Sequence, residues 1–242
     1  MSCFVYNDMT RLLIILILIT IPLLSHGQLL QAVAGVSATR AAGFSGDESI
    51  SGNILAGYTL GLTGDIPLKQ GSCCAIRTEL FLNRWGSRFA TGTAGRTNAT
   101  RSLGLSYIQS PVLFVDRIGL SLTKSLLVGA GPYAAWRINA PSQLFKVDRV
   151  NNHAYGALYP DDGLKEDYYR RLDYGFSFQC SLEIYNRVNL CLRYDCGLRN
   201  ILEQGSGTVL YNRALTLSLG YYLNMGRFLS RRFPLAKSTV NK

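Results

Sequence analysis

A chain of 242 residues with a formal charge of +10 and 48% hydrophobic residues needs no more than one domain, and its basic balance favours anionic partners. Nucleic acid is excluded as the expected partner, because the chain opens like an exported one and carries no nucleic-acid-binding motif. With no Gly-rich phosphate loop and cysteine spacings that match no zinc or redox motif, neither a cofactor nor a resident metal is expected.

The first element is the apolar block 12–24, preceded by Arg11 and followed by Ser25, His26 and Gly27. A spanning helix needs about twenty apolar residues, so this shorter block predicts a signal peptide over 1–27, with cleavage leaving a chain that starts near Gln28. An uncleaved anchor is the alternative. No cysteine directly follows the block, which argues against a lipid-anchored start.

From residue 28 the chain alternates between apolar and polar side chains, and the clearest case is Leu172–Ile184. Leu172, Tyr174, Phe176, Phe178, Cys180, Leu182 and Ile184 form one set, and Asp173, Gly175, Ser177, Gln179, Ser181 and Glu183 form the other. Successive side chains of a strand point to opposite faces, so the segment has one apolar and one polar face. Runs of this length exceed the usual strand of about five or six residues and suffice to cross a bilayer at a tilt. Read this way, eight strands are predicted over 32–42, 53–66, 73–85, 102–116, 122–138, 171–184, 188–199 and 213–225. The connections 43–52, 86–101, 139–170 and 200–212 are long and polar, whereas 67–72, 117–121 and 185–187 are short. That asymmetry is the habit of outer-membrane barrels, with tight turns on the periplasmic side and longer loops outside.

The fold expected is therefore all-β: a single eight-stranded antiparallel transmembrane β-barrel over 28–226, followed by a basic periplasmic tail over 227–242 that holds Arg227, Arg231 and Arg232. In hydrocarbon every backbone group must be paired within the protein, so the sheet must close. Eight strands close around an interior that side chains nearly fill. Polar residues then point inward, which places Arg77, Glu79, Asn83, Asp173, Gln179, Glu183, Arg193, Asp195 and Arg199 inside as a plugging network of ion pairs. A soluble lipocalin-like barrel is the rival fold, and it would turn the apolar set inward. Pro111 and Pro132 fall within predicted strands and lack the ladder donor, so bulges are expected there. Phe114, Tyr107, Tyr133, Trp136, Tyr185, Tyr194 and Tyr221 are candidates for interfacial aromatic girdles.

Segment 139–170 is far longer than an ordinary connection, and such loops tend to be functional or disordered. Its His153, Tyr155, Tyr159, Tyr168 and Tyr169, mixed with charges of both signs, suit contact with protein or glycan. His153 is the single histidine after the predicted signal peptide, and no catalytic spacing links it to Ser142, Asp148 or Asp161. No catalytic residue is therefore assigned, with an outer-membrane barrel enzyme or a small-solute pore kept as alternatives. Vicinal Cys73–Cys74 is the one pair with potential redox or metal chemistry, and its spacing alone carries little information.

The series Asp65-Ile66-Pro67-Leu68, Glu79-Leu80-Phe81-Leu82, Tyr107-Ile108-Gln109-Ser110-Pro111-Val112, Gly129-Ala130-Gly131-Pro132-Tyr133, Arg193-Tyr194-Asp195-Cys196-Gly197-Leu198-Arg199-Asn200-Ile201 and Leu217-Ser218-Leu219-Gly220-Tyr221 resembles the PorT-like outer-membrane β-barrel proteins of Bacteroidetes. The resemblance implies an eight-stranded barrel of the cell envelope with a signal peptide. It also implies a link to type IX protein secretion, with which the namesake is associated. The basic charge of an exported chain makes outer-membrane lipid and lipopolysaccharide the expected anionic partners, and the resemblance adds other envelope or secretion-machine proteins. The chain departs from the family where Gln109 stands in place of a frequent Glu and Gly129 in place of a common acidic residue, so a different interior pairing is expected.

Overall fold

The computed structural model describes residues 29–223 except 46, 69–72, 94–95, 122, 140–142, 151–152, 161–168, 186 and 203–207. The predicted signal peptide 1–27, the basic tail 227–242 and Tyr168 lie outside the described residues.

The described residues form eleven strands in chain order: β1 (Leu29–Ser45), β2 (Glu48–Ser51), β3 (Leu55–Pro67), β4 (Cys74–Thr93), β5 (Arg96–Gly119), β6 (Lys124–Asn139), β7 (Gln143–Val150), β8 (His153–Pro160), β9 (Leu172–Ile184), β10 (Val188–Gly197) and β11 (Thr208–Tyr222). Eight of them form the wall in the order β11-β10-β9-β6-β5-β4-β3-β1, and β11 pairs with β1 to close it. All neighbours are antiparallel. Closure pairs both backbone edges of every wall strand, which an open sheet in hydrocarbon cannot do.

The faces are those of a membrane barrel. Along β9, Tyr174, Phe176 and Phe178 are exposed, while Asp173, Ser177, Gln179, Ser181 and Glu183 are buried. Phe178 is 50% exposed and the adjacent Gln179 only 4%, so exposure follows the strand period and runs against hydrophobicity. The same inversion holds for Leu215, Leu217 and Leu219 against Thr216 and Ser218 on β11. A lipocalin-like arrangement, with apolar residues inside, is thereby ruled out.

Several elements depart from the expectation. Segment 86–101 is not a loop: β4 continues through it to Thr93 and β5 starts within it at Arg96. Thr, Phe and Ala in 87–93 and Thr-Asn-Ala-Thr in 97–100 extend a ladder already started below. Segment 139–170 contains the β7–β8 hairpin, formed by a Leu, Phe, Val and Tyr content that suits strands although its charges read as loop. The 43–52 connection folds β2 back onto β1.

The prolines produce no bulge. Pro132 pairs with Phe176 in an unshifted β6–β9 ladder, and the rungs missing beside it are on the β5 side. Pro111 likewise pairs with Tyr133, and the rungs to Glu79 and Leu80 are missing without a change of register. Each proline removes one donor, but a one-residue slip would turn every side chain of its strand to the wrong face. The register shifts lie instead at Thr91/Thr93 and at Ser106/Tyr107.

Candidate functional site

The interior polar column is built by register. Asp65 pairs with Arg77 across β3–β4, and Gln179 with Arg193 across β9–β10, so inward-facing charges of different strands arrive at matching heights. At the end where β1 starts, Tyr222 donates its hydroxyl to Glu183 at 3.3 Å, and Glu183 accepts the Arg117 guanidinium at 2.9 Å. Arg117 also lies 3.8 Å from Asp65, which takes a two-point contact from Arg77 at 2.6 and 2.9 Å. Such fork contacts fix both side chains in one geometry. Thr63 donates to Gln31 at 2.9 Å beside them.

Halfway along, Arg193 reaches Glu79 at 3.1 Å and Asp195 at 3.3 Å, and its guanidinium lies 4.2 Å from the centroid of the Phe81 ring. Asp195 also accepts from Ser177 and, at 3.3 Å, from Gln109. Gln109 in turn accepts from Asn83. A neutral amide at 109 can donate toward Asp195 and accept from Asn83 at once, whereas a carboxylate there would face Asp195 with like charge. Gly129 has a steric reason: a Cβ would come within 2.9 Å of Val115 Cγ2 and 3.2 Å of Gln179 Cγ. Positions 109 and 129 thus supply a neutral bridge and an empty position.

Toward the opposite end, Asn212 donates to Asp173 at 2.7 Å and to the Tyr107 hydroxyl at 3.4 Å. Above this the interior turns apolar, with Trp85, Leu105, Tyr107, Tyr133, Tyr169, Leu202 and Leu210 in one cluster. Trp85 packs against Tyr107 at 5.2 Å and edge-on against Tyr133 at 5.7 Å. The void bordered by Gln31, Thr63, Arg77, Glu79, Gln179 and Arg193 measures about 10 Å³, the limit of what one water occupies.

The structure places Arg77, Glu79, Asn83, Asp173, Gln179, Glu183, Arg193 and Asp195 in the interior. Arg199 is a correction: it lies beyond β10, half-buried, with its guanidinium 5.7 Å from the ring centroid of outward-facing Tyr174. The strand ends before it, so the alternation that would aim it inward no longer applies. Tyr107 and Tyr133 are also corrected, being interior packing residues and not girdle residues. Phe114, Tyr185, Tyr194 and Tyr221 are exposed and Trp136 is half-buried. In the loop, Tyr169 is buried in the interior cluster, under the Arg137 guanidinium at 6.0 Å and bridged to Leu202. It is therefore a plug residue and not a surface contact. His153, Tyr155 and Tyr159 lie on β8.

Sequence reasoning missed Asp65, Arg117, Asn212 and Tyr222 as interior partners. Carrying the inward phase of Arg77 and Glu183 across the ladder would have found them, but only with the register known. It also missed a cluster at the rim, where Cys73, Cys74 and Asp116 bring three potential metal ligands within 4.8 Å of one another.

The family model described as outer membrane protein beta-barrel domain matches residues 29–203. No curated protein matches the sequence. Among solved structures the chain is similar to the outer membrane enzyme PagL, at 14% identity over 77% of this chain and 99% of that one, with a TM-score of 0.42. It is similar to Neisserial surface protein A at 8% identity, over 81% of this chain and 99% of that one, with a TM-score of 0.43. For OprG of Pseudomonas aeruginosa the identity is 8%, the coverage 83% and 97%, and the TM-score 0.46.

Proposed function

Since the chain belongs to the outer membrane protein beta-barrel domain family, and so to the outer membrane of a Gram-negative bacterium, we propose that it works as a closed structural and interaction barrel of the envelope. The observation that carries this reading is the continuous interior column. From Tyr222 to Tyr169 side chains meet one another across the axis, and the bordered void is at the one-water limit. A barrel filled in this way acts through its surfaces, namely the lipid-facing wall and the segments beyond it. Lipid and lipopolysaccharide are its partners at the wall, and envelope proteins at the 139–170 segment with its β7–β8 hairpin.

The finer identity is PorT-like, supported by the ordered motif series from Asp65 to Tyr221, and with it comes a place beside the type IX secretion machinery. The reading assigns no catalytic role, because His153 has no supporting carboxylate or nucleophile at a recognised spacing.

Planar-bilayer recording of the purified full chain tests the closed interior. The expected result is no steady conductance, and a large steady conductance overturns the reading. Replacing 143–160 by a short Gly-Ser linker keeps Tyr169 and the plug. Cross-linking in intact cells should then lose an envelope-protein partner, and an unchanged partner set refutes the role of the hairpin.

A further inference from the structure

The interior network does not use the thiols at the rim. Cys73 precedes β4 and is exposed, and Cys74 opens β4 half-buried. Asp116 stands opposite Cys74 in the β4–β5 register. Inward positions on these strands are odd-numbered, as at Arg77, Glu79, Leu113 and Val115, so Cys74 and Asp116 both stand on the outer face. On β5, Asp116 interrupts an outward apolar row that runs through exposed Val112 and Phe114 and resumes at Ile118. A carboxylate on that face faces the membrane boundary with no use in the interior, and two sulfurs accompany it.

The backbone holds all three in place. The Arg117 amide donates to the Cys73 carbonyl at 3.0 Å, and the Leu68 amide donates to the Cys74 carbonyl at 3.2 Å. The Cys74 thiol lies 3.7 Å from an Asp116 carboxylate oxygen, and the three ligand atoms lie within 4.8 Å of one another. In a tetrahedral zinc site, bonds of about 2.3 Å to sulfur and about 2.0–2.2 Å to oxygen separate neighbouring ligand atoms by roughly 3.5–3.8 Å. Small rotations of the side chains therefore reach the required spacing.

We propose that Cys73, Cys74 and Asp116 bind one divalent cation of zinc-like, thiophilic chemistry at the rim of the barrel, with an open fourth position for water. Two thiolates and a carboxylate select a borderline-to-soft ion over magnesium or calcium. On binding, each thiol releases its proton to solvent, and the two thiolate–metal bonds form without any change of oxidation state. The competing chemistry, a bridge between the adjacent cysteines, is disfavoured by geometry. Neighbouring Cα atoms are about 3.8 Å apart, below the roughly 4.4–6.8 Å span of ordinary disulfides.

The test loads the reduced full chain in detergent micelles with cobalt(II), follows the absorption spectrum, and then titrates zinc to displace the cobalt. The expected result is one metal per chain, with a thiolate-to-cobalt charge-transfer band and tetrahedral ligand-field bands. Both should be lost in Cys73→Ser and Cys74→Ser and bound more weakly in Asp116→Asn. Unheated electrophoretic mobility shows that each variant is still a barrel, since all three positions are at the rim. No charge-transfer band in the wild-type chain overturns the proposal. So do a band that survives both cysteine variants, an unchanged affinity in Asp116→Asn, and a Cys73–Cys74 disulfide that persists under reductant.

Discussion

Replacing Arg193 by Met removes the cation that Glu79 and Asp195 share while keeping most of the side-chain volume. The arginine, Glu79 and Asp195 side chains are only 4%, 2% and 1% exposed, so the two carboxylates would be left facing each other out of water. An exposed ion pair is worth about 0.2–1 kcal/mol, whereas removing one partner of a buried pair costs about 3–5 kcal/mol. The burial decides for the larger figure. The loss of the guanidinium from the Phe81 face, 4.2 Å away, acts in the same direction. The assay is urea unfolding of the full chain in lipid vesicles, followed by the fluorescence of interior Trp85 alongside outward Trp136. With a urea slope of about 2 kcal/mol/M, the midpoint should fall by about 1.5–2.5 M. Adding Glu79→Gln to Arg193→Met removes one of the stranded charges and should return about 1 kcal/mol or more as a coupling term. A loss below about 1 kcal/mol for Arg193→Met, with no coupling to Glu79, would place the pair in the exposed class and refute the interior network.

Three further substitutions separate the interior from the wall. Gln109→Glu sets a carboxylate against Asp195 and removes a donor at 3.3 Å, so it should lower unfolding stability by about 1–3 kcal/mol, and an unchanged urea midpoint contradicts the neutral bridge. Gly129→Ala drives a methyl to within 2.9 Å of Val115. It should cost about 1–3 kcal/mol by overpacking, and a stabilised barrel in the same titration shows the position has room. Phe178→Arg, at an outward site near the middle of β9, should cost about 2–4 kcal/mol in a bilayer. If vesicle unfolding shows no loss, the apolar face is not in contact with acyl chains.

The alternation carried most of the architecture. At Leu172–Ile184 a period of two with strict chemical separation settles both the strand and its orientation, because a slip of one residue would exchange the faces. Single-strand patterns do not encode which strand lies opposite at which height. Arg77 was legible as interior, but its partner Asp65 and the linking Arg117 depend on the β3–β4 register and on a contact across the axis. Tyrosine is ambiguous for a different reason, since an amphipathic ring suits both a membrane boundary and a packed interior. Tyr107, Tyr133 and Tyr169 took the interior because the wall leaves space above the polar column for an apolar plug. The β7–β8 hairpin was hidden by charges scattered through residues that favour strands. Cys73 and Cys74 were visible as a pair, but Asp116 is distant in sequence and joins them only through pairing.

The side on which hydrocarbon lies can be measured directly. Single spin labels placed in turn from Leu172 to Ile184, in cysteine-free variants reconstituted into lipid bilayers, report oxygen collision rates at each site. Collision rates should rise and fall with a period of two, highest at Tyr174, Phe176, Phe178 and Cys180 and lowest at Asp173, Ser177 and Gln179. A flat profile, or maxima on the polar set, would contradict a barrel whose oily face meets the membrane and whose charges meet one another around its axis.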